Sequence, residues 1–317
     1  MIEPHIQPGQ KVLLKPNILG PFSAESAVVT HPEVIRAVIR LVREAGGLPT
    51  VGESPGIGSV HRFAKISGIQ KVLDEEKVPL IDLKTPVEVE NPKGKRFKKF
   101  TLARELYDFD ILINLPKFKT HQLTVISGAV KNLFGCVPGI IKSQYHFKIQ
   151  KQPEFLEMLN DLAELINPQL TIMDAVWAMD GAGPSAGDPY PLKIIGVSTD
   201  CRALDLEMLK LIEGIKDFKK VERPRENMYH LPFPILQKYL KKYTSEWPVI
   251  DRKKCLNCNS CVEVCAAQAL KRSDPTPVFD YEKCIRCYCC QEFCPEHAVL
   301  IRKNWLFERL FSLLSRL

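Results

Sequence analysis

Apolar residues recur at helical spacing in residues 32–45, at Val34, Ile35, Val38, Ile39, Leu41 and Val42. That period predicts an amphipathic helix. Thr30 is the expected N-cap, with Glu33 three residues on and Pro32 in the first turn, and Gly46-Gly47 is the stop. Helices of the same kind are expected at residues 155–166, ended by Asn167-Pro168, and at 202–212. Short apolar runs lie between them at 11–14, 48–51, 110–115 (DILINL), 170–173 (LTIM) and 193–197. Strands alternating with helices predict an α/β domain with a mostly parallel sheet over residues 1–245. Residues 219–247, rich in Lys, Pro and Tyr, read as a connection. A small α+β module is expected at 246–302, followed by an amphipathic tail helix at 303–317 that could dock a partner or a membrane surface.

The 317 residues suffice for two domains. The net charge of +7 is spread thinly, and no continuous basic tract argues for nucleic acid. The N-terminal residues lack a basic segment followed by an apolar one, so no signal peptide is expected. No apolar run reaches the roughly 18 residues of a transmembrane span. A reducing cytoplasm is the expected compartment. Cysteine placement changes the picture most. Only Cys136 and Cys201 fall in the first 250 residues, and nine of the eleven lie between Cys255 and Cys294. Such clustering points to thiolate ligation of a soft metal centre rather than to disulfides.

Two runs carry the pattern C-x2-C-x2-C-x3-C: Cys255, Cys258, Cys261, Cys265, and then Cys284, Cys287, Cys290, Cys294, the second followed by Pro295. Three cysteines two residues apart wrap a turn of chain around a cubane, and the fourth thiolate comes from the other run. Cys255, Cys258, Cys261 and Cys294 are therefore expected to hold one 4Fe–4S cluster, and Cys284, Cys287, Cys290 and Cys265 the other. Zinc uses four-cysteine sites with C-x2-C pairs but does not need two such runs. Purely structural clusters are the competing reading. Cys289 breaks the spacing and reads as a small bystander. About 50 residues here resemble the bacterial-type two-cluster ferredoxins. The resemblance implies a pseudo-twofold pair of hairpins and helices and one-electron transfer at low potential. Ala266 departs from the proline usual after the fourth cysteine, which predicts a relaxed turn.

In the first domain, polar groups collect after the strands, where α/β domains place their chemistry. The segments KPN (15–17), THPEV (30–34), GES (52–54), LPKFKTH (115–121), GAVKNLFG (128–135), MDAVWAMDGAGP (173–184) and ALD (203–205) resemble, in order, the domain-of-unknown-function family 362. Its members are often joined to a ferredoxin module, and the family implies no settled reaction. Physically, Lys15, Lys117, Lys119 and Lys131 could form a cationic pocket for a small anionic substrate. His121 could donate a proton. Glu53, Asp174 and Asp180 could act as acid/base partners or bind a hard cation. His121, Lys117, Lys131 and Asp174 are thus the expected catalytic set. Lys15, Asn17, Glu53, Lys119 and Asn132 are the expected substrate-binding set. The competing readings are solvated lysines and turn-capping aspartates. No dinucleotide or Walker motif is present. An iron–sulfur oxidoreductase, a non-catalytic electron carrier or docking subunit for a partner redox enzyme, and a cluster-assembly factor all fit.

Overall fold

The alternation of apolar runs and amphipathic segments is realised as strands and helices wound on one sheet. The computed structural model describes residues 5–220 and 247–302. The predicted tail helix and most of the predicted connection lie outside these. The chain divides into two compact units, Met1–Val221 and Glu222–Leu317, and each is described by itself.

In the first unit, β1 (Lys11–Pro16) pairs in parallel with β2 (Leu48–Glu53) and with β6 (Ile111–Leu115). β3 (Leu80–Asp82) extends the sheet beyond β2, and β9 (Leu170–Asp180) lies beside β6. The strand order is β3-β2-β1-β6-β9-β7-β8, with β7 spanning Lys117–His121 and β8 Val125–Ser127. β10 (Asp188–Tyr190) and β11 (Ile194–Ser198) run antiparallel along β9. A separate hairpin, β4 (Pro86–Glu90) with β5 (Lys99–Ala103), stands off the sheet. The mostly parallel sheet is thus as expected, and two strands differ from the sequence reading. β9 continues through MDAVWAMD, placing Asp174 and Asp180 within a strand rather than in the turns after it. KFKTH is itself a strand, all five of its residues buried, and β6 and β7 follow the same edge of β9 across Pro116.

The helix α1 (Pro32–Glu44) buries Ile35, Val38, Ile39 and Val42 against Val12, Leu14 and Ile113 of the sheet. Each such burial is worth roughly 1.5–3 kcal/mol. Its N-cap is His31 rather than Thr30: the His31 Nδ1 accepts the Glu33 amide at 3.2 Å. Thr30 is drawn inward instead, where its hydroxyl donates to the Leu115 carbonyl (2.7 Å) and accepts the Asn17 amide (2.8 Å). The helices α2 (Val60–Ile66) and α3 (Ile69–Glu76) follow β2, then α4 (Ala129–Asn132), α5 (Ile141–Lys148), α6 (Gln152–Ile166) and α7 (Cys201–Glu213).

The second unit contains two small antiparallel ladders, β12 (Trp247–Ile250) with β15 (Val299–Arg302) and β13 (Leu270–Lys271) with β14 (Val278–Phe279). Two four-residue helices, α8 (Ser260–Glu263) and α9 (Cys289–Glu292), start inside the cysteine runs. Left-handed residues recur in both halves: Asn257 with Arg286, Asn259 with Tyr288, and Gln268 with His297. The turn after the fourth cysteine is the same in both. Gln268 N donates to Cys265 O at 2.9 Å and His297 N to Cys294 O at 3.2 Å. Ala266 therefore does not relax it, because the backbone hydrogen bond and the left-handed residue hold that turn without the proline.

Candidate functional site

At the C-terminal ends of the parallel strands, lysines that the sequence presents as solvated are buried. The Lys15 side chain is fully buried, and its Nζ donates to Glu53 Oε2 at 2.6 Å and to the Pro16 carbonyl at 3.0 Å. Glu53, closing β2, also accepts the amides of Ser54 (2.8 Å) and Ile18 (3.4 Å). A second pair joins β7 to β9, where Lys117 Nζ lies 2.9 Å from Asp174 Oδ2. Asp174 further accepts the amides of His31 (2.8 Å) and Val176 (3.3 Å). Burial pulls the Lys117 ammonium below the usual lysine range, and the neighbouring Asp174 opposes that shift. Lys119, one pleat further along β7, donates to Asn17 Oδ1 and to the Val28 carbonyl, both at 2.9 Å.

Three asparagines connect these cations through neutral hydrogen bonds. Asn17 Nδ2 donates to Asn132 Oδ1 at 3.1 Å. Asn132 Nδ2 donates in turn to the Lys15 carbonyl (3.1 Å) and to Asn114 Oδ1 (2.8 Å). Asn114 was missed in the sequence. Its signal was a single amide inside the apolar strand DILINL, and its Nδ2 reaches the Ala129 carbonyl at 2.9 Å. Glycines let the chain flanking α4 approach this network. A Cβ at Gly135 would overlap both Glu53 Oε1 and Lys15 Nζ, and one at Gly128 would overlap the Asp205 carboxylate. Asp205, from the ALD segment on α7, accepts the amides of Ala129 (2.7 Å) and Val130 (3.0 Å). Burial pushes its carboxyl up to about 7, against the lowering effect of those two amides.

Lys15, Asn17, Glu53, Lys117, Lys119, Asn132 and Asp174 are therefore brought to one end of the sheet. An open cationic pocket is not what they form, because each ammonium already holds a carboxylate or carbonyl oxygen. His121 is buried at the end of β7, and its Nδ1 accepts the amides of Leu123 (3.0 Å) and Thr124 (3.3 Å). Lys131 is half-buried on α4. Asp180 is buried at the far end of β9 and accepts the Lys219 amide at 3.0 Å. Burial pushes the Cys136 thiol up to about 12, so it stays protonated beside Lys15 and Glu53. A groove of about 750 Å³ runs between α1 and the β9–β11 face, within the size range of small-molecule sites. Val38, Trp177 and Ile195 give it apolar walls, and His31, Lys117 and Asp174 line it too.

In the second unit, Cys255, Cys258, Cys261 and Cys294 line a single small cavity. Burial, and then the charges of Cys294, Cys258 and Cys255, push the Cys261 thiol up to about 12. Around Cys290, burial comes first and then the crowding of Cys287, Cys284, Cys261 and Cys265, raising its thiol well above the ordinary range. Cys294 of the second run thus lies beside three cysteines of the first. Backbone amides point at cysteine sulfurs, Ala269 N to Cys265 Sγ and Ala298 N to Cys294 Sγ, each at 3.2 Å. Among the described residues, no three His, Cys, Asp or Glu side chains gather tightly enough to hold a single metal ion.

Residues 247–299 match the model of the 4Fe-4S dicluster domain, so this is an iron–sulfur protein with an electron-transfer type of domain. Over 210 residues the chain is 39% identical to the "Thylakoid-associated protein sll1697" of Synechocystis, covering 66% of this chain and 64% of that relative's length. The lactate racemase apoprotein from Thermoanaerobacterium thermosaccharolyticum is similar at a TM-score of 0.44 and 12% identity, over 64% of this chain and 49% of that one. No helix among the described residues is long and apolar enough to cross a membrane. Residues 12–210 match the model of a domain of unknown function, DUF362, and the chain belongs to that family.

Proposed function

We propose that the protein is an iron–sulfur oxidoreductase working in a reducing compartment such as the cytoplasm. In this reading the residue 246–302 module holds two 4Fe–4S clusters in crossed ligation. Electrons arrive singly from a partner redox protein, and a small substrate bound by the residue 1–245 domain accepts them. The buried Lys117–Asp174 pair at the wall of the groove carries the reading. Burying an ammonium and a carboxylate is costly, and apolar residues of like volume often serve a fold as well or better. A lysine whose proton is loosened by burial, beside a cavity, has the properties of a proton donor. The groove's apolar walls suit an apolar body. Its polar end suits an oxygen-bearing or anionic head, which would accept the Lys117 proton as electrons arrive; solvent then reprotonates the lysine. His121 and Lys131 do not line this groove, so the proton-donor role falls to Lys117. Lys15, Asn17, Glu53, Lys119 and Asn132 do not line the groove and support the strand ends behind it through their mutual hydrogen bonds.

The internal satisfaction of every strand-end lysine favours a second reading, an electron carrier whose first domain docks a partner without catalysis. Reoxidation kinetics separate the two. Dithionite-reduced protein should be reoxidised by a member of a panel of small carbonyl and carboxylate compounds. The paired variant Lys117→Met with Asp174→Asn should slow this at least ~100-fold, the lower bound for a lost general acid, while the cluster absorbance stays unchanged. Equal rates in variant and parent would remove Lys117 and Asp174 from the reaction. No reoxidation by any compound, with fast transfer to a partner protein, would favour the carrier.

A further inference from the structure

The two halves of the cysteine module repeat at a spacing of 29 residues, Cys255 to Cys284 and Cys265 to Cys294. Backbone geometry follows the repeat closely. Asn259 and Tyr288 have φ of 62° and 58°, and each precedes a four-residue helix. The side chain at the first residue of that helix is thereby turned back toward the ligand two positions earlier. In the first half this residue is Ser260, whose Oγ lies 3.4 Å from Cys258 Sγ. In the second half it is Cys289, a buried thiol at the equivalent first position of the helix that follows left-handed Tyr288. The residue outside the ligand spacing therefore has a structural counterpart, and that counterpart is a hydroxyl.

We propose that Ser260 and Cys289 are paired hydrogen-bond donors to the sulfurs of Cys258 and Cys287, each raising the reduction potential of its own cluster. This rests on the two-cluster reading above. A cysteine bound to iron has no proton, so the hydroxyl or thiol facing it must donate. A donor aimed at a ligand sulfur stabilises the more negative, reduced form, and hydrogen bonds to sulfur are one of the terms that set cluster potentials. The two donors differ in strength, because a thiol is a weak donor and a hydroxyl a good one. Backbone amides serve both halves alike at Cys265 and Cys294, so the Ser260–Cys289 difference is an asymmetry that side chains impose. Ser260 and Cys289 are positioning residues and not ligands.

EPR-monitored redox titration of the full chain tests this. Ser260→Ala should lower the potential of one cluster and leave the other unmoved. Cys289→Ala should lower the other cluster's potential, and Cys289→Ser should raise it, since a hydroxyl replaces the thiol. Iron content should equal that of the parent in all three. Titrations unchanged in all variants, or Ser260→Ala and Cys289→Ala moving the same cluster, would overturn the proposal. Loss of about half the iron from Cys289→Ala would do so as well, by making Cys289 a ligand. A parent protein without clusters would instead contradict the underlying reading.

Discussion

Replacing Glu53 with alanine is expected to destabilise the N-terminal unit by about 3–5 kcal/mol, the cost of leaving one member of a buried ion pair alone. Lys15 would keep only the Pro16 carbonyl among the contacts its Nζ makes here. The Ser54 and Ile18 amides would lose their acceptor at the same time. Such a loss is a large share of the 5–15 kcal/mol that holds a typical domain together. Solvent cannot relieve it readily, because Lys15 is fully buried and Gly135 packs its backbone against the pair. The double variant Lys15→Met with Glu53→Leu should recover much of the loss, since it removes both charges and keeps apolar volume. Urea unfolding followed by far-UV circular dichroism reads both. A midpoint for Glu53→Ala equal to the parent's would show that water reaches the pair.

Cys294→Ser is expected to remove one cluster and spare the other, although Cys294 belongs to the second cysteine run. Its sulfur lines the cavity shared with Cys255, Cys258 and Cys261. The run that donates three of its own cysteines elsewhere should therefore keep its cluster, completed by Cys265. Iron should fall from about eight to about four per chain. The surviving EPR signal should match that of Cys258→Ser rather than that of Cys287→Ser. A match to Cys287→Ser would mean that each run ligates its own cluster.

Much of the fold was legible because its signals are local. The helix at 32–44 announces itself through apolar spacing, Pro32 and Gly46, and all of these lie within a few turns. The iron–sulfur module was legible because cluster ligation constrains the cysteine spacing itself. The site was only partly legible. A lysine after a strand reads as solvated, and what buries Lys15 is Glu53, 38 residues away on the next strand. KFKTH looks too polar for an interior strand, yet Lys117 finds Asp174 and Lys119 finds Asn17 across the sheet. The true N-cap was hidden for a related reason. Thr30 has the better capping side chain by local rules, but the Leu115 carbonyl, 85 residues on, captures its hydroxyl and leaves the cap to His31. Long-range polar partners, rather than local propensity, decided each of these positions.

The most direct measurement is the metal and sulfide content of the full chain purified without oxygen, taken together with its Mössbauer spectrum. Two cubanes held by eight cysteines predict about eight irons and about eight acid-labile sulfides per chain, all in 4Fe–4S form. Colourless protein with zinc in place of iron, even after reconstitution with iron and sulfide, would contradict the account.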